Sequence, residues 1–101
     1  MEKEKVIKGY YVPSEEERKA TYSNYISRIY SILVNYEATK KINTDYVNFL
    51  CFEIQAYGAL LDNNELIGLA SKISCLLSKD VNYTYVRKIV LDSTNFLSRL
   101  M

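Results

Sequence analysis

A chain of 101 residues, 49% hydrophobic and 25% charged, is long enough to build one core and too apolar to stay disordered. Its net charge of +1 supplies no long-range field to draw in nucleic acid or an anionic membrane, and no apolar run approaches the roughly 20 residues that span a bilayer. It contains no histidine, the usual general base near neutral pH and the commonest zinc ligand, and no Gly-rich phosphate loop. A non-catalytic protein without metal or cofactor is expected.

Residues 1–13 (MEKEKVIKGYYVP) contain apolar side chains without a 3.6-residue period, punctuated by Gly9 and Pro13. They read as an extended N-terminal arm, with no strand pair recognised by hairpin turn chemistry. The charged start and the lack of an apolar core behind it point away from a secretory signal and toward the cytoplasm, a host's cytoplasm if the chain is viral. Residues 14–101 are expected to form a single domain.

Ser14 and Glu17 make a capping box that opens a first helix over about 15–41. Tyr22, Ile26, Ile29, Leu33 and Tyr36 follow at steps of 4, 3, 4 and 3, one apolar stripe. The opposite side carries Asn24, Ser27, Ser31 and Asn35 around a single charge, Arg28. Solvated helix faces are normally rich in Lys and Glu, so this stripe of small polar residues is a candidate packing surface. Its candidate partners are the arm, through Tyr10 and Tyr11, a second copy in a homodimer, or another protein.

Asn43-Thr44-Asp45 caps a second helix over about 44–61. Val47, Leu50, Ile54, Tyr57 and Leu61 repeat the 3, 4, 3, 4 spacing, and most of the remaining circumference is also apolar. This predicts the most enclosed element of the fold, with Phe49 and Ile54 in the core. Glu53 interrupts the apolar surface and must find a tyrosine hydroxyl or a basic partner, or mark a polar pocket.

Asp62, with Glu65 as its return partner, is expected to cap a third helix over about 63–78, and a fourth follows over about 82–100. The short connections make sequential helices antiparallel neighbours, so the fold class is an all-α antiparallel four-helix bundle. Cys51 and Cys75 both fall on apolar arcs and read as two buried, reduced thiols.

Tyr83, Tyr85, Arg87, Lys88 and Arg99 on the fourth helix combine basic and aromatic side chains, the equipment for phosphate contact and base stacking. Leu69 to Ile73 followed by this helix is loosely similar to a helix-turn-helix, but the connector is too long and the turn glycine is absent. Nucleic-acid binding is therefore the alternative, favoured only if these residues form one basic face. The leading expectation is a non-catalytic protein-binding module. Small immunity proteins, viral accessory proteins and assembly subunits share this size and architecture, an analogy of shape alone.

Overall fold

The computed structural model describes residues 5–7, 10–78 and 80–101, with side chains from Val12 onward. Two short strands, β1 (Lys5–Ile7) and β2 (Tyr10–Val12), precede four helices: α1 (Glu15–Thr39), α2 (Thr44–Leu60), α3 (Asn64–Ser74) and α4 (Tyr83–Leu100). The fold is an all-α antiparallel four-helix bundle.

The arm is extended, and its two strands also pair antiparallel, with Val6 opposite Tyr11 and Ile7 opposite Tyr10. No hairpin turn chemistry in the sequence announces this pair. Both triplets consist largely of β-branched and aromatic residues, which favour a pleated pair. The side chains of Tyr10 and Tyr11 lie outside the described residues.

Local chemistry explains the helix ends. Ser14 and Glu17 exchange hydrogen bonds with each other's backbone, so both halves of the α1 capping box are present. Asn43 Oδ1 accepts from Tyr46 N–H at the start of α2. At α3 the cap is Asn63, accepting from Glu65 and Leu66 N–H, and not Asp62. Asp62 is instead left-handed, with φ 55, and closes α2. Its N–H donates to Ala59 C=O and that of Asn63 to Gly58 C=O, the pair of bonds of a Schellman ending. An aspartate serves there because it tolerates the left-handed region better than most side chains.

The third helix is shorter than the 63–78 expected. After Ser74 the chain tightens into a 3-10 turn at Cys75–Leu77. Ser74 Oγ and Cys75 Sγ both donate back to Ser71 C=O, a competition with the helical ladder that serine is prone to. The turn leaves Cys75 exposed while Cys51 is buried, so only one of the two thiols is enclosed.

Packing follows two close pairs. α2 and α3 form a tight hairpin, and α4 returns along α1. Tyr36 Oη donates to Val81 C=O and Tyr83 Oη to Glu37, which fixes the start of α4 beside the end of α1. The molecule measures 48 × 20 × 19 Å, its length set largely by the 25-residue α1. Ile29, Leu50, Ile54, Leu66, Ile73, Leu76 and Leu97 are fully buried at the centre.

One expectation fails clearly. α2 is not the most enclosed element, because Phe49 is 60% and Phe52 68% exposed. α1 and α3 cover two sides of α2, and the third side, apolar though it is, faces outward. Among the described residues no helix is long and apolar enough to cross a membrane.

A candidate protein-binding face on α1 and α2

The small polar stripe lies where α1 meets α2. Asn24, Ser27, Ser31 and Asn35 are exposed, and no described part of the same chain covers them. β2 runs against α2. Ser31 Oγ donates to Ser27 C=O, so these two hydroxyl-bearing residues are bonded along their own helix. Val34, beside them, is 63% exposed.

Arg28 is the joint between the two helices. Its Nη1 and Nη2 donate to the two carboxylate oxygens of Glu53 at 2.8 and 3.2 Å, a bidentate pair, and Nη1 also donates to Asn24 Oδ1. From α2, Tyr46 Oη donates to Arg28 C=O at 3.2 Å. The hydrogen bond that Arg28 donates to Glu53 raises the guanidinium's affinity for its proton. The carboxylate that interrupts the α2 surface is therefore neutralised from the neighbouring helix.

Behind this pair, the Tyr57 ring meets Tyr22 and Tyr25 edge-on, with centroids 6.2 and 6.1 Å away. Burial, with the Glu53 charge adding to it, pushes Tyr25 up to about 12. On the other side a cleft of about 300 Å³ opens between Ser31, Ile32 and Asn35 of α1 and Asn43, Tyr46 and Val47 of α2.

Phe49 and Phe52 form the outer ridge of the same face. The sequence places Phe52 beside the polar strip of Asn48 and Gln55 but Phe49 in the core, although a signal for both was present. Asp45, Phe49, Phe52, Ala56 and Ala59 are spaced 4, 3, 4 and 3, a second seam beside the buried one. All five are exposed. Between Asn48 and Ala59 the only charge on α2 is Glu53, already paired.

The fourth helix divides its candidates. Tyr83 is bonded to Glu37, and Tyr85 is partly buried against the core. Lys88 is ion-paired with Asp92, which also takes Lys72 from α3. The Lys88 contact, followed by that of Lys72, holds the Asp92 carboxyl below the usual aspartate range. Arg87 is exposed but lies roughly 100° around the helix from Lys88. Arg99 lines an α3–α4 cleft of about 340 Å³ together with Glu65, Lys72, Asp92 and Phe96. Lys72, Lys88 and Arg99 therefore lie on one side of the α3–α4 pair with Asp92 and Glu65 among them, while Arg87 stands apart.

Among the described residues no cluster of Cys, Asp and Glu has the spacing to hold a metal ion. The chain matches no family model, no curated protein and no solved structure.

Proposed function

We propose that this protein is a non-catalytic binding module that docks another protein on the face shared by α1 and α2. The observation that carries this reading is the pair of phenylalanines, 60% and 68% exposed, beside an α1 stripe whose only charge is spent on Glu53. Solvating two such rings is unfavourable, at roughly 25 cal/mol for each Å² left in water, and contiguous apolar surface of this kind marks interaction sites. Small serine and asparagine side chains let a partner's backbone come close. The paired Arg28 and Glu53 offer hydrogen bonds without an unpaired charge to desolvate. Two free cysteines suit a reducing compartment such as the cytoplasm. The mixed charges of α4 give less support to the nucleic-acid alternative.

The test pairs two variants. Phe49→Ser/Phe52→Ser removes the apolar ridge, and Ser27→Glu/Ser31→Glu places charge on the stripe. All four positions are exposed, so both proteins should melt within about 1 kcal/mol of the parent. Affinity capture from the native host, with self-association measured in parallel, should show the bound protein lost in both. Retention of every partner by both variants would remove this face as the site.

A further inference from the structure

Resting on that reading, we propose that the occupant of the α2 ridge is a second copy of this chain, paired antiparallel through α2 about a two-fold axis. The exposed seam has its bulk at one end and its space at the other: Phe49 and Phe52, then Ala56 and Ala59. An antiparallel copy centred between residues 52 and 56 sets Phe52 against Ala56 and Phe49 against Ala59 of the other chain. The 4, 3, 4 spacing is the one by which two helices interlock side chains along a shared seam. Large residues then meet small ones at every step, in both directions, as an isologous contact requires. A parallel copy would force ring against ring and leave a gap between the alanines.

Charge agrees with this placement. Glu53 of each copy arrives with its own Arg28 bonded at 2.8 Å, so the two carboxylates meet as part of a balanced group of two anions and two cations. In area, each phenylalanine presents about two thirds of its surface, so the four rings together supply roughly 500 Å². Ala56, Ala59, Asn48 and Gln55 add the remainder along a 17-residue helix. A contact of this size lies no higher than the lower bound of a specific interface, about 1,200 Å², and describes a dimer that dissociates on dilution.

Sedimentation or light scattering over a dilution series, with thermal melts as a folding control, tests the pairing. Phe52→Ala alone and Ala56→Phe alone should each weaken self-association at least about tenfold, one by opening a gap and the other by a clash. The double variant Phe52→Ala/Ala56→Phe exchanges the large and small partners and should restore the dimer to within about threefold of the parent. For direction, a chain with Phe52→Cys and Cys75→Ser is oxidised with one carrying Ala56→Cys and Cys75→Ser. Cross-links between unlike chains are expected, and links between like chains alone would overturn the antiparallel register. A parent that stays monomeric at every concentration would overturn the dimer. In that case loss of a host protein by Phe49→Ser/Phe52→Ser would keep the binding face and assign it to a different partner, while no loss would end both readings.

Discussion

Ser93 and Tyr57 carry hydroxyls that are buried without a hydrogen-bond partner, whereas the neighbouring Thr94 donates to Leu91 C=O. A buried orphan loses its bonds to water and regains nothing, and Ser93 is fully enclosed. Ser93→Ala removes the hydroxyl, leaves the backbone alone and improves helix propensity, so it should raise stability by about 1 kcal/mol in a urea melt. A loss of similar size would mean the hydroxyl has a partner in solution. The residue scale also separates the thiols. Burial, aided by the neighbouring Cys75, pushes the Cys51 thiol up to about 11, and its exposed counterpart lies in the 3-10 turn. From the sequence the two looked alike, because a helical wheel does not register the change of winding after Ser74.

Among the elements, the α2–α3 hairpin depends on one glycine. A Cβ built on Gly58 would lie 3.0 Å from Leu66 Cβ and from Ile67 Cγ1, and 3.1 Å from Ile67 N. A backbone atom among these neighbours does not swing aside, so Gly58→Ala must push α3 away. It is expected to cost about 1–3 kcal/mol despite alanine's better helix propensity. Gly68, on the outer side of α3, has nothing within 4 Å of the same position. There Gly68→Ala should stabilise by up to about 1 kcal/mol, and thermal melts of the two variants should move in opposite directions. The helix spans themselves were legible within two residues at α1, α2 and α4, because caps and periodicity are written in neighbouring side chains. The cap of α3 was misread by one position, since Asp62 and Asn63 are both good capping residues. Only the path of the chain leaving α2 decides which of them takes the left-handed turn.

For the whole molecule, the tyrosines between α1 and α2 make stability depend on alkaline pH. Tyr25 is 4% exposed and holds its proton to about 12, while an unfolded tyrosine releases it near 10. Tyr22 is shifted the same way, chiefly by burial. Between those two values the unfolded chain binds fewer protons than the folded one, so stability falls as pH rises. The contribution of Tyr25 is complete below pH 10 and is lost progressively towards 12, an effect on the order of 2 kcal/mol. Urea denaturation at stepped pH should show this decline, and Tyr25→Phe should flatten it. A midpoint unchanged up to pH 12 would mean that Tyr25 is open to water.

What the sequence by itself determined is the all-helical class, four helices, three of them of nearly the right extent, the capping of α1 and α2, and the need of Glu53 for a partner. These depend on hydrogen bonds and apolar spacing within a few residues. Only the tertiary structure decided that the second seam on α2 is left uncovered. Val47–Leu61 is the more apolar of the two seams and is the one buried, but Asp45–Ala59 carries a helical spacing of 4, 3, 4 and 3 as well, and nothing local says whether it too finds a neighbour. The bundle supplies α2 with two flanking helices and leaves its third side uncovered. It was likewise the crossing of α1 over α2 that brought Arg28 to Glu53, 25 residues away, and turned a lone carboxylate into part of a neutral surface. Periodicity records that a face is apolar, while burial depends on how many neighbours the fold has to cover it.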